Sequence, residues 1–163
     1  MIDPGTLYLL CGKMAAGKST LAKELANSRD AILLREDALL AELYPGEVHD
    51  VPTYIRCSSR IKHALNSHII DLLRRGVSLV LDFPANTVRQ REWMRALIEK
   101  TNAPHELHYL NVSDAVCKSR LTKRTAEQPE HRATDTVEMF EAVTAHFQAP
   151  TAAEGFFVVE HGE

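Results

Sequence analysis

One run of residues carries the most specific chemistry in the chain. Gly12-Lys13-Met14-Ala15-Ala16-Gly17-Lys18-Ser19 fills every required position of the pattern G-x-x-x-x-G-K-[S/T]. A loop of this kind wraps backbone N–H groups around phosphate oxygens, so Gly12 and Gly17 stand where a Cβ would block close approach or a required dihedral angle. The helix that follows aims its N-terminus at the same anion. Lys18 would then reach the β- and γ-phosphates of a nucleoside triphosphate, the Ser19 hydroxyl would ligate Mg²⁺, and Thr20 would extend the cradle.

Other candidates are placed around this loop. Two acids follow predicted strand ends, Asp37 after Arg35-Glu36 and Asp82 before Phe83-Pro84-Ala85-Asn86. Asp37 reads as a site carboxylate or as the N-cap of the next helix. Asp82 reads as a Mg²⁺ ligand acting through water, as an acceptor contact, or as the first residue of a turn. Arg120 and Arg124 are one helical turn apart, so they face either one phosphate chain, where they would neutralise developing charge, or solvent. Lys123 and Arg132 beside them read as solvated charges. His105 and His108 fall on opposite faces of a strand, which argues against a shared zinc site.

These residues need a scaffold, and the apolar pattern supplies it. A strand over 7–11 runs into the loop, and Leu21, Ala22, Leu25 and Ala26 then recur at helical spacing. Residues 31–34 read as a second buried strand, and Leu39, Leu40 and Leu43 as a short helix ended by Tyr44-Pro45-Gly46. From Thr53 a long helix is predicted with Ile55, Ile61, Leu65, His68, Ile69 and Leu72 on one face, His68 being packed. A third strand spans 77–81. Thr87 with Gln90 forms a capping box for a helix whose core face holds Trp93, Met94, Leu97 and Ile98. A fourth strand lies within 105–112. Ser113-Asp114 opens the arginine-bearing helix, which breaks at Gln128-Pro129. Asp135 with Glu138 caps a last helix bearing Val137, Phe140, Val143 and Phe147, and 155–159 reads as a fifth strand. Strands alternating with helices imply a parallel sheet covered on both faces, with ligands bound beyond the strands' carboxyl ends.

With 163 residues the chain reads as one domain, 1–163, with material for a single sizeable core. A net charge of −3 makes a sequence-independent grip on long nucleic acid unfavourable. The three cysteines, Cys11, Cys57 and Cys117, form no C-x-x-C pair, and their odd number fits reduced thiols in a cytoplasmic protein. No apolar run reaches membrane-span length, and the first strand starts too early for a signal peptide. There is no N-K-x-D element for guanine and no L-S-G-G-Q signature.

The whole chain resembles the P-loop kinases related to polynucleotide kinase and the zeta toxins. The resemblance rests on the phosphate loop, on Arg35-Glu36-Asp37, on the Asp82 to Asn86 turn with Arg91 and Trp93 after it, and on Arg120-Leu121-x-x-Arg124. It implies an α/β, three-layer P-loop NTPase fold with a five-stranded parallel sheet and helices on both faces. It also implies an ATP- and Mg²⁺-dependent phosphotransferase acting on a hydroxyl of a small-molecule acceptor. Asp37 would be the general base, with Glu36 as second choice, and Lys18, Arg120 and Arg124 would clamp phosphates. Asp82, Asn86 and Arg91 would join Asp37 on the acceptor side. The family commonly places an arginine three residues after the base to grip a phosphate on the acceptor; Leu40 stands there, which argues against a phosphorylated or nucleic-acid acceptor. The rival readings are a nucleotide switch that hydrolyses ATP without an acceptor, and a toxin- or resistance-type kinase of a nucleotide sugar or drug.

Overall fold

The computed structural model describes residues 1–129 and 135–163. Its centre is β1 (Leu7–Gly12), buried along its whole length, as a strand covered on both faces must be. The chain continues through α1 (Lys18–Ser28), β2 (Ile32–Arg35), α2 (Glu36–Leu43), α3 (Val51–Arg74), β3 (Leu79–Asp82), α4 (Val88–Thr101), β4 (His105–Leu110), α5 (Asp114–Glu127), α6 (Val137–Thr144) and β5 (Val158–His161). All strand pairs are parallel and the order is β2-β3-β1-β4-β5. This is the α/β P-loop NTPase-like fold.

The period of two along β1 divides the core into two layers. Leu7, Leu9 and Cys11 pack with Ile61, Ile69 and Leu73 of α3 and Met94 and Leu97 of α4. Tyr8 and Leu10 point the other way, toward Ala22 and Leu25 of α1, Cys117 and Leu121 of α5, and Phe140 of α6. Because every crossover returns the chain in the same direction, the loop after β1, the start of α2, and the ends of β3, β4 and β5 share one rim of the sheet.

Several expectations need correction. The second strand is an edge rather than a buried strand, with Ile32 47% exposed, because β3 lies between it and β1. A short apolar run does not distinguish the two positions. The buried stripe of α3 runs through Cys57, Ser58, Ile61, Ile69, Ile70 and Leu73; Ile55 and His68 are exposed, so His68 is not a packed histidine. The cap of α6 is Thr136, whose hydroxyl accepts from Met139 N at 3.1 Å, and Val137 and Val143 remain exposed. Phe147 lies beyond that helix, beside the Tyr109 ring. The last strand begins at Val158, after a 3₁₀ turn at Ala152–Glu154 that the pattern did not show. Arg132 lies outside the described residues. Among the described residues, no helix is long and apolar enough to cross a membrane. All three cysteines are free and buried, and burial pushes the Cys11 thiol up to about 11, which makes it a poor nucleophile.

Candidate functional site

At the end of β1 the loop turns under tight constraint. A Cβ on Gly12 would stand 3.2 Å from the Cβ atoms of both Ala16 and Leu110, and Gly17 has φ +103°, a left-handed conformation that suits glycine. Ala15 also has positive φ, 63°, a strained choice for a residue with a Cβ and one often found where backbone N–H groups are aimed at a ligand. Lys18 Nζ donates to the carbonyls of Gly12 and Lys13 at 2.5 and 2.9 Å, so the ammonium lies along the inner face of the loop. Burial lowers its pKa, while the charges of Cys11, Asp82, Cys117 and Asp37 oppose that shift. The side chains of Lys13 and Met14 turn outward and sideways. Lys13 pairs with Asp114 at 2.6 Å, and Met14 packs on the layer of α1 and α5.

The next residue, Ser19, is the one whose hydroxyl could face a metal ion. Ser19 Oγ donates to Asp82 Oδ2 at 3.1 Å, which sets a hydroxyl from the start of α1 against the carboxylate that ends β3. A hydroxyl and a carboxylate at this spacing form a hard, oxygen-only donor pair that fits Mg²⁺ directly or through its waters. Arg35 Nε lies 3.9 Å from the same Asp82 oxygen. Burial raises the Asp82 pKa and nearby Asp37 raises it further, against the lowering effects of Ser19, Lys18 and Arg35.

The sign of that shift makes a testable statement about stability. A carboxyl whose folded pKa exceeds its unfolded value of 3.8 holds its proton more tightly in the folded state, so its ionised form weakens the fold at neutral pH. Stability is lost as pH rises from the unfolded toward the folded value. Asp82→Asn should therefore melt at or up to about 3 °C above wild type at neutral pH, the shift that a fraction of 1 kcal/mol gives in a domain of this size. A melting curve checks it; a clear loss of stability would mean that the Arg35 and Ser19 contacts outweigh the desolvation.

The two adjacent acids after β2 have separate roles. Glu36 is 1% exposed and accepts hydrogen bonds from Tyr54 Oη at 2.5 Å and Ser58 Oγ at 2.7 Å, both from α3. It is a brace between α2 and α3, and burial with a hydroxyl on each oxygen leaves it no open side toward an acceptor, which removes it as second choice for a base. Burial and the neighbouring Glu36 charge raise the Tyr54 pKa, so the phenol stays protonated as the donor. Asp37 is exposed at the second position of α2. The N-cap is Arg35, with no side-chain cap, so Asp37 does not cap the helix; its charge instead acts on Lys18 and Asp82.

Asn86 and Arg91 are structural supports rather than open acceptor contacts. Asn86 Oδ1 accepts from Gly12 N at 2.9 Å, and Asn86 N donates to Gln90 Oε1 at 2.9 Å. The turn after β3 thus fixes the first residue of the phosphate loop. Asn86→Ala would leave the Gly12 N–H without its acceptor in a buried place, at about 1–3 kcal/mol. The expected result is a melting temperature lower by roughly 2–10 °C and weaker nucleotide binding, read by thermal melting with and without Mg-ATP. Unchanged values in both would show that Asn86 does not hold the loop.

Arg91 is 1% exposed. It donates to Glu154 at 2.6 and 3.2 Å and to the carbonyls of Ala85, Gln148 and Ala149. A guanidinium with this many fixed acceptors anchors the segment after α6 and has no edge left for a substrate.

The arginine pair of α5 is also divided. Arg120 Nη1 donates to the Ala16 carbonyl at 3.2 Å, on the loop itself. Arg124 pairs with Asp135 at 2.7 Å, ahead of α6. A cavity of about 420 Å³ opens beside the loop, lined by Gly17, Thr20, Leu21, Leu110, Arg120 and His161 among others. It lies on the β4–β5 side of β1, whereas Asp82 and Asp37 lie on the β3–β2 side.

A family match covers almost this whole arrangement. The sequence profile described as "AAA domain" matches residues 7–150, from the first residue of β1 to the segment held by Arg91. The chain belongs to the AAA domain family. No curated protein is significantly similar to it in sequence. Solved structures share the fold of this AAA domain at low identity. The suggested kinase of Chloroflexus aurantiacus is 21% identical with a TM-score of 0.75, over 98% of this chain and 89% of that one. The Mycobacterium tuberculosis APS kinase in complex with AMPPNP and APS is 15% identical with a TM-score of 0.64, over 97% and 89%. A gluconokinase of Sinorhizobium meliloti is 16% identical with a TM-score of 0.57, over 98% and 84%.

Sequence reasoning missed three parts of this rim: the Glu36 brace, the Asn86 contact to the loop and the cavity residue His161. Tyr54 and Ser58, spaced i,i+4 on a predicted helix, were a readable sign of a hydroxyl pair facing one partner. Nothing in the sequence pointed to the other two.

Proposed function

We propose that this AAA domain is an ATP-dependent phosphotransferase that moves the γ-phosphoryl group to a hydroxyl of a small molecule. The carrying observation is the joint placement of Lys18, the Ser19–Asp82 pair and exposed Asp37 on one side of the phosphate loop, with the cavity on the other. A triphosphate lying along the loop would have its nucleoside in the cavity and its γ-phosphate beside the acids. The small kinases among the structural neighbours support this reading.

In this arrangement backbone N–H groups of residues 12–19 and the α1 N-terminus hold the phosphates. Lys18 draws charge from the β- and γ-oxygens, and Arg120 lies over the loop near the cavity. Ser19 and Asp82 would hold Mg²⁺, which would supply neutralisation of phosphate charge when bound. Asp37 accepts the proton of the attacking hydroxyl, a role for which an exposed, uncommitted carboxylate at the rim is suited. Arg124 would join the clamp by exchanging Asp135 for phosphate. Leu40 is buried in the core, so no side chain at that position grips an acceptor phosphate, and a non-phosphorylated acceptor is favoured. The likeness to polynucleotide kinase and zeta toxin belongs to the same proposal, and the acceptor class decides it.

The test is ADP release from Mg-ATP with sugars, polyols, nucleosides, nucleotide sugars and aminoglycosides offered separately. One class should accelerate release well above the rate with water alone and yield a phosphorylated product by mass spectrometry. If no acceptor does so while ATP is bound and slowly hydrolysed, the switch reading replaces the kinase reading.

A further inference from the structure

The cavity wall on the β5 side is His161, and it is the visible end of a chain of polar contacts that nothing above uses. His161 Nε2 and His108 Nδ1 are 2.8 Å apart, and His108 Nε2 is 2.8 Å from Glu106 Oε2. Pairing in register puts Glu106, His108 and His161 on the same sheet face as Tyr8 and Leu10, under α1. His108 is 4% exposed. Burial lowers its pKa, as do His161 and Arg29, while Glu106 acts in the opposite direction. His108 is therefore the neutral imidazole at neutral pH.

The proton positions then follow in one direction along the chain. A carboxylate accepts and does not donate, so His108 Nε2 carries the N–H that meets Glu106. Neutral His108 has a lone pair on Nδ1, so the proton in the 2.8 Å contact belongs to His161 Nε2. In an uncharged imidazole a proton on Nε2 leaves the lone pair on Nδ1. The two nitrogens of an imidazole point away from each other, and Nε2 is turned onto the buried ring. Nδ1 makes no hydrogen bond to the described residues.

We infer that Glu106 and His108 fix His161 as a hydrogen-bond acceptor at the wall of the nucleoside cavity, and that this acceptor selects a 6-amino purine over a 6-oxo purine. The exocyclic N–H of adenine would donate to His161 Nδ1, whereas the 6-oxo group of hypoxanthine or guanine would set one lone pair against another. Arg120, on the same wall, offers a planar cation for the base to stack on. Glu24 at the rim is a second acceptor and works in the same sense. His161 is thus a specificity-determining residue, and Glu106 and His108 are positioning residues. This rests on the nucleotide reading of the loop given above.

The experiment compares dissociation constants of ATP, ITP and purine riboside triphosphate, each with Mg²⁺, on the full chain at neutral pH. ITP reverses the polarity of the 6-position, and purine riboside triphosphate deletes the group. Wild type should bind ATP about tenfold or more tighter than either, the ratio expected for one half-buried hydrogen bond whose acceptor is otherwise unpaired. His161→Phe keeps a ring against the base and removes both nitrogens, so the ATP-to-ITP ratio should fall to within about twofold of one. Histidine ¹⁵N spectra of the wild-type chain, with the His161 signals assigned by their loss in His161→Phe, should show a protonated Nε2 and a bare Nδ1. If the variant does not fold, His161→Gln assigns the same signals by their loss and carries the test, because an amide can donate and should weaken the preference. Equal affinities in wild type, an unchanged ratio in His161→Phe, or a proton on Nδ1 would overturn the inference. Failure of all three triphosphates to bind would instead overturn the nucleotide reading itself.

Discussion

With Lys18 replaced by alanine, the protein is expected to lose on the order of 10²–10³-fold or more of its phosphoryl transfer while melting at or above the wild-type temperature. Both halves come from the same geometry. The ammonium is held against the Gly12 and Lys13 carbonyls on the inner side of the loop, where a phosphate chain would lie. No other described lysine is placed there; Lys13 is turned to Asp114. On the stability side, a lysine whose folded pKa falls below its unfolded 10.5 binds its proton less tightly in the folded state, so its charge opposes folding at neutral pH. Alanine removes that opposition along with two hydrogen bonds to carbonyls. One of those carbonyls, Lys13 O, keeps a bond from Ala16 N. A coupled assay of ADP release and a calorimetric melt decide the matter. Wild-type turnover would remove the loop from the chemistry, and a melting temperature lower by several degrees would make Lys18 a brace of the loop.

How much of this was legible depends on the range of the interaction. The strand, loop and helix from Leu7 to Ser28 could be read because a local motif and a local periodicity coincide there. The alternation of strands with helices was enough for the parallel, two-faced sheet. Which strand lies at the edge was not legible, since four apolar residues look alike in either place until the neighbour order is known.

The site residues sort by the same rule. Ser19 and Asp82 could be named because each belongs to a local pattern at a strand or helix end, although their 3.1 Å contact spans 63 positions. The acceptor-side role implied for Arg91 fails because its main partner, Glu154, is 63 positions away, and the Thr151–Glu154 capping box is a local motif that does not name a distant guanidinium as its partner. Arg124 was paired with Arg120 by helical spacing, but spacing alone does not say what stands opposite each side chain. Glu36 and Asp37 show the limit most directly. They are consecutive, so about 100° of helical rotation sends one into the α2–α3 contact and the other into the cleft. Only the hydroxyls of α3 distinguish them.

That division makes Asp37→Asn the most discriminating substitution after Lys18→Ala. If Asp37 takes the acceptor's proton, asparagine keeps the shape and loses the basicity, and transfer to the hydroxyl should fall about 10²–10⁴-fold. Nucleotide affinity should stay within roughly threefold, because Asp37 acts on Lys18 and Asp82 through its charge and has no hydrogen bond to either. The fold should change little. One acid fewer in the first turn of α2 costs about 0.3–1 kcal/mol, and relief of the repulsion on Asp82 offsets part of it. Turnover with the identified acceptor, a titration with Mg-ATP and a melting curve separate the outcomes. Full transfer by the variant would withdraw the base assignment, and because Glu36 is committed to Tyr54 and Ser58, the search would move to Asp82 rather than to its neighbour. A large loss of Mg-ATP affinity would place Asp37 among the groups that hold the metal, and the proton would have to leave by another carboxylate.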